Sequence, residues 1–475
     1  MKRLFYIVLA IVCLSSILVA GNKTFTGPGN FSDASKWNGN ALPVAGDNLK
    51  INNGCTYDAA TNLIYGNLNL GNPTPGQLTF NSGTTLTVAG ISSAILGSSS
   101  LTMPNGGTLV ISGATGWMVG SGFSAGTGTV SLQNTITLPT DVATYNNLTI
   151  AAGATSVTLG TATTVNGNLI ISSGTLSTSA SNFALNVKGN WTNSGTFTPG
   201  TGTVTFNGSS GQSLTGATAF NNLTLNNSAG LTLNNNATVN AALTLTSGAI
   251  TTGANTVVIP ASGSVSRTNG YVNGKLQKNV ATGATSRTFE VGDASNYTPV
   301  NVSFASVTTA GNLTAQTTAG DHPNLGTSSI DASKSVNRYW TLTNSGVVFT
   351  NYSATFNFAG TDVDGGANTA NFLVNKYNSP NWSLPATGTT TSTSTQATGL
   401  TSFSDFAVGE PFTYSVTATA GANGSISPSG TVSVLPGANQ AFTITPNAGY
   451  HVLDVLVDGV SVGAVSADTL FNVTA

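Results

Sequence analysis

Charge is what this sequence has least of. There are 13 Lys+Arg and 15 Asp+Glu in 475 residues, or 6% charged, where a soluble domain usually carries about 25%. A nucleic-acid partner is thereby excluded, because neutralising phosphates takes clustered Lys and Arg and the basic residues here are scattered. Histidine occurs twice, as His322 and His451. Neither has a Cys or His at ligand spacing, so no zinc donor set exists. Of the two cysteines, Cys13 and Cys55, the first lies in an apolar leader, which leaves no intramolecular disulfide for the mature chain. Cys55 is expected to be a small buried hydrophobe. No apolar run beyond the leader is long enough to cross a bilayer.

The leader itself is Met1, Lys2 and Arg3 followed by an apolar stretch from Leu4 to Ala20, the pattern of a secretory signal over residues 1–20 with cleavage after Ala20. Ile11 and Val12 precede Cys13, without the small residue that a lipoprotein signal needs there, so lipid anchoring is not expected. Loss of Lys2 and Arg3 leaves 11 basic against 15 acidic residues, a mildly acidic mature chain of formal charge −4.

What remains is Thr, Ser, Asn and 56 glycines around a 39% hydrophobic fraction. Short alternating runs such as Val157-Thr158-Leu159 and Asn168-Leu169-Ile170-Ile171 sit between turn-forming clusters, and no stretch has a capped helical period. The fold class expected is all-β. An internal match sets the architecture: Trp117 to Val130 reads WMVGSGFSAGTGTV and Trp191 to Val204 reads WTNSGTFTPGTGTV. The offset is 74 residues, passing briefly through 75 where Tyr145 to Ile150 meets Phe220 to Leu225.

Repeats of this kind over 117–190 and 191–264 fit a parallel β-helix, or solenoid, across residues 21–265, at roughly 25 residues a coil and three coils a repeat. With strands about 4.8 Å apart, about ten coils would stack over roughly 50 Å. A row of small antiparallel sandwiches is the competing architecture. Low charge favours the solenoid, since stacking places equivalent side chains directly over one another and like charges there repel.

Near residue 266 the texture changes as Arg267, Lys275, Lys278, Arg287, Glu290 and Asp293 return charge to the chain. A β-sandwich is expected over 266–411, with Trp340 in its core and Arg338, two residues away, on the same strand face. The Thr/Ser tract Thr389–Thr395 is expected as a surface loop or linker. From residue 412 to 475 a third, small β-rich module is expected.

Two resemblances rest on these residues. Thr24-Phe25-Thr26-Gly27-Pro28-Gly29-Asn30-Phe31, Trp37-Asn38-Gly39, Pro43 and Gly46-Asp47, together with the Gly189-Asn190-Trp191 to Phe206 stretch, resemble the β-helical, adhesin-like surface proteins of Bacteroidetes-type bacteria. Asn423-Gly424-Ser425-Ile426, Phe442-Thr443-Ile444-Thr445-Pro446, Gly449-Tyr450, Val455 to Gly459 and Phe471-Asn472-Val473 resemble the divergent internalin-B-type bacterial repeat, a spacer module. The resemblance implies secretion through the general pathway, with type IX export as a further step, and an extracellular or cell-surface location. Members of the repeat family usually continue for one more strand, so the module is expected to be incomplete, the chain being either a truncated gene product or a partial sequence.

Searching for chemistry yields little. Two Gly-x-Ser-x-Gly strings, Gly122 to Gly126 and Gly459 to Gly463, lack the following helix and nearby histidine of a nucleophile elbow. Glycoside hydrolysis needs paired carboxylates, and between Asp58 and Arg267 the charged residues are Asp141 and Lys188 alone. Asp33, Asp47 and Asp58 could converge on successive coils, although Asp47 sits in a Pro-x-x-Gly-Asp turn and is expected to be structural. Asp362-Val363-Asp364-Gly365-Gly366-Ala367-Asn368 has the look of a calcium loop without its closing Glu, making Asp362, Asp364 and Asn368 the one metal candidate, against a plain turn. No catalytic or cofactor-binding residues are expected. The sequence therefore points to a non-catalytic, adhesin-like or structural surface protein whose extracellular ligand is a glycan or a surface protein. The alternatives are a carbohydrate-binding component of a larger secreted system and a polysaccharide-degrading β-helical enzyme.

Overall fold

A computed structural model describes residues 20–60, 62–71, 74–92, 99–113, 122–151 and 156–473. The signal segment therefore lies outside the described residues, apart from Ala20, as does the start of the first repeat copy, including Trp117. The protein is all-β, with 57% of residues in strands and almost no helix. About 11 turns of parallel β-solenoid are followed in sequence by antiparallel sheets. The chain forms two compact units, Met1–Ala229 and Gly230–Ala475.

Among the described residues the strands of the first unit pair in parallel, with one isolated antiparallel bridge from Phe25 to Trp37; this parallel pairing replaces the antiparallel-sandwich alternative for that stretch. Alternation explains the register. In Asn147–Ile150, Leu148 and Ile150 point inward and are fully buried, while Thr149 between them faces outward. Leu148 stacks beside Val130 on one side and Leu169 on the other, and Leu169 stacks beside Trp191, which stacks beside Leu214. Each buried aliphatic of this kind contributes about 1.5–3 kcal/mol. Trp191 anchors an aromatic cluster, its ring 4.9 Å from Phe197 and 5.5 Å from Phe220. Another cluster joins Phe25, Phe31, Trp37 and Tyr57, with the Trp37 indole N–H donating to the Phe31 carbonyl at 2.8 Å.

Asparagines close the corners. The side-chain oxygen of Asn147 accepts from the Asn168 backbone N–H, 21 residues on; Asn168 accepts in the same way from Asn190, 22 on, and Asn190 from Ser213, 23 on. Each amide thus satisfies a backbone donor of the next coil. These spacings also correct the expected coil of about 25 residues. Three coils on from Val130 is Trp191 and four is Leu214, whereas its sequence equivalent Val204 lies between them and stacks beside Leu185 and Leu223. The repeat is therefore not a whole number of coils, and matching residues of the two copies fall on neighbouring ladders. Turn geometry holds across the copies: Gly174 and its equivalent Gly248 both take positive φ, 69° and 81°, a region that glycine enters without cost.

The second unit opens with further parallel pairings, Leu243 beside Val265 and Val257 beside Leu276. The change of pairing occurs within Tyr271–Val280, which is parallel to Ala249–Ile259 and antiparallel to Gly311–Ala319. From there one sheet runs through Gly311–Ala319, Ile330–Ser345, Asp405–Pro411 and Leu373–Asn378. A second comprises Gly283–Phe289, Val300–Thr309, Tyr352–Asn357, Ser394–Leu400 and Ala386–Thr391. The Thr/Ser tract expected as a loop is a hairpin, Thr390 pairing with Thr395 and Thr391 with Ser394. The sheets meet face to face: Trp340 packs on Phe356 at 5.2 Å, and Phe356 on Phe406 at 4.8 Å. Trp340 is fully buried, its indole N–H donating to the Thr298 carbonyl, and so fills the sandwich core. Residues 414–470 form three small antiparallel sheets.

Candidate functional site

The residues singled out in the sequence fall into separate local roles. Asp47 is buried and accepts from Gly21 N–H at 2.6 Å and Val44 N–H at 2.9 Å, bracing its turn. Asp33 caps the short turn at Ala34–Lys36 through Ser35, and Asp58 accepts from the Ser32 backbone and hydroxyl. Asp33 is engaged in its own turn, whereas Asp47 and Asp58 each reach a segment 26 residues back, and the three do not meet at one point. Cys55 is buried, and burial pushes its thiol up, leaving little nucleophilic thiolate. Ser124 is exposed on Phe123–Ser124, a strand paired in parallel with Ser100–Thr102. Ser461 lies in Val460–Gly463 and donates to Asp454 at 2.7 Å.

Asp362 and Asp364 are drawn to different partners. Arg338 is buried on the same inward face as Trp340, and its guanidinium reaches Asp362 at 3.0 Å and Asp293 at 2.6 Å, with Thr317 accepting at 3.1 Å. Burial works against the guanidinium charge, but the two carboxylates outweigh it and hold Arg338 above its ordinary value. Burial likewise works to raise Asp293, yet the Ser295 and Asn296 backbone N–H groups and Arg338 together hold it below the usual carboxylate range. Asp364 accepts from Ser335 N–H at 2.8 Å and Asn337 at 2.7 Å. Asn368 caps the turn at Thr369–Asn371, accepting from Ala370 N–H, and donates its own N–H to Glu410. Among the described residues, no group of three or more His, Cys, Asp or Glu is placed to hold a metal ion.

The polar and aromatic groups that do converge lie around Asp405. His322 is buried against three rings, Tyr339 at 5.1 Å, Tyr377 at 4.7 Å and Trp382 at 5.0 Å. Its Nδ1 accepts from the Asn324 backbone N–H at 3.1 Å, so the neutral ring carries its proton on Nε2, which faces Asp405 Oδ2 at 3.4 Å. The other oxygen of Asp405 accepts from the Thr341 hydroxyl at 2.6 Å. Asp405 and Thr341 also line a cavity of about 510 Å³ between segments 341–349 and 401–405. Beside it, Lys376 is buried with its amine on the Ser402 hydroxyl oxygen, and burial lowers its pKa.

Sequence reading missed this cavity, because its walls come from strand ends more than 50 residues apart. The usable signal is the alternation Thr401-Ser402-Phe403-Ser404-Asp405, which puts an aromatic among hydroxyls where a loop would normally be polar throughout. Compared with known proteins, the chain matches no family model, no curated protein and no solved structure.

Proposed function

We propose that this chain is a secreted, non-catalytic surface protein of adhesin-like or structural type. The observation that carries the reading is the neutral solenoid of the first unit, whose coils are joined by apolar ladders and by asparagines bonded to the next coil's backbone. Such a stack is stiff and closed to water, and a rod-like β-helix is compatible with a structural or adhesin-like role. The apolar leader adds export, and the resemblance to Bacteroidetes-type β-helical proteins and internalin-B-type repeats adds the cell surface. Among the described residues, no helix is long and apolar enough to cross a membrane. Weak contacts repeated on neighbouring copies of the protein would gain avidity from their number.

Protease shaving of intact producing cells tests the location. Release of solenoid peptides from the surface is expected, and recovery of the intact chain only from the cytoplasm overturns it. Incubation of the purified mature chain with a panel of polysaccharides tests the non-catalytic part; new reducing ends would contradict it. The alternative of a carbohydrate-binding component is favoured by one observation, the cavity beside Asp405.

A further inference from the structure

We infer that the cavity between segments 341–349 and 401–405 is a binding site for a neutral oligosaccharide. The inference deepens the surface-protein reading by naming its ligand class and rests on that reading only for biological purpose. The cavity is an open groove and not an enclosed pocket, with a volume of about 510 Å³, comparable in size to sites for small organic ligands. Its lining combines two kinds of group that a sugar needs. Phe349 and Phe403 are half-buried, with ring centroids 5.1 Å apart and planes at 57°. Tyr352 stacks on Phe403 at 4.5 Å, and Phe304 packs edge-on to both phenyl rings at 5.4 and 6.1 Å. Phe349 and Phe403 are thus backed by other rings and held in place before any ligand arrives. A pyranose presents a face of C–H groups that packs on such a surface.

Hydrogen-bonding groups surround the rings. Thr343 and Thr401 are exposed at the rim. The Ser402 oxygen accepts from Lys376, which leaves its own O–H to donate to a ligand. Asp405 accepts from Thr341 and is approached by His322, retaining lone pairs for the vicinal hydroxyls of a sugar ring. It is the one ionisable group in the lining, which holds no Lys, Arg or His. A uronate or sialylated chain would bring a carboxylate toward Asp405, while the nearest cation, Lys376, is buried and already engaged on Ser402, so a neutral sugar is favoured.

The test uses the purified mature chain and titration calorimetry with cellohexaose, mannohexaose, xylohexaose and chitohexaose, beside oligogalacturonate and sialyllactose. Binding to at least one neutral hexamer is expected, with none to the acidic probes. Asp405→Asn should weaken that binding about tenfold or more, as expected when a hydrogen bond to a charged acceptor is lost. Thr343→Arg, an exposed change that crowds the rim, should abolish it while leaving the thermal midpoint in place. Silence toward all neutral hexamers, tighter binding of an acidic probe, or undiminished binding by both variants overturns the site. Sugar binding by the purified chain is independent of where the protein resides in the cell, so failure here and failure of the surface reading are separately visible.

Discussion

The parallel coils of the first unit and the antiparallel sandwich of the second solve the burial of polar groups in opposite ways. Among the described residues all four ion pairs lie within 278–405, including Lys278 to Glu290 at 2.6 Å and the Arg338 cluster. The coils of the first unit use asparagine and threonine instead. In a parallel stack each residue meets its counterpart in the next layer, and an amide, being both donor and acceptor, can serve every layer alike. A charge repeated that way repels itself. In an antiparallel sandwich no layer repeats, so a guanidinium can be given two carboxylates from elsewhere in the chain. The difference is one of degree: charge is low throughout the chain but scarcest in the stacked coils, with 8 charged residues over 21–229 against 18 over 230–475.

The sharpest way to break this contrast is to delete the anchor of each region and vary pH. Trp191→Ala should cost about 3–5 kcal/mol in denaturant unfolding, the usual result of emptying an aromatic core position. No ionisable group touches that cluster in its ring contacts, so the loss should be the same at pH 3 and pH 7. Arg338→Met should cost a similar 3–5 kcal/mol at pH 7 by leaving the buried Asp362 and the partly buried Asp293 without a cation. Its pH behaviour should differ. Asp293 is held below 3.8 in the folded state, so its contribution is present above that value and is lost as pH falls through the lower folded value. Wild type and variant should therefore converge in acid, and parallel curves down to pH 2 would contradict the sandwich half of the contrast.

A smaller effect is expected at the corners. Asn168→Ala removes the acceptor of the Asn190 N–H and should lower stability by about 1 kcal/mol, with faster hydrogen exchange at Asn190. Smallest is the outward ladder Thr149, Ile170 and Thr192, which stand in register. Lysine at all three should destabilise by a few tenths of a kcal/mol beyond the sum of the single changes, and salt should remove the excess. A triple variant no worse than additive would show that stacked charge is tolerated.

Much of the fold was legible in the residues because the solenoid is built from local rules. The alternation in Asn168-Leu169-Ile170-Ile171, the turn at Gly174 and the repeated Trp191 to Val204 segment all led to parallel coils. Coil length was harder to read, since the 74-residue match spans four coils less one strand, and only the pairing of Val204 with Leu185 and Leu223 reveals the slip. Trp340 was legible as core. Arg338 was placed on its face correctly, but its partners Asp293 and Asp362, 45 and 24 residues away, carry no mark in the sequence that pairs them. Asp362 read as a calcium-loop candidate because Asp-x-Asp-Gly is a local string, whereas its ion pair is with Arg338, 24 residues away, beside bonds from Asn296 and its own Ala359.

Composition and alternation alone were enough to determine an all-β chain of neutral, stackable layers, because in a parallel coil inward apolar residues meet inward apolar residues of the next layer about 18 to 26 residues later. Which groups gather around Asp405, and which acids receive Arg338, was decided only by tertiary structure. Antiparallel sheets have no period, so the partner of a residue depends on hairpin lengths and sheet packing summed over the whole sandwich.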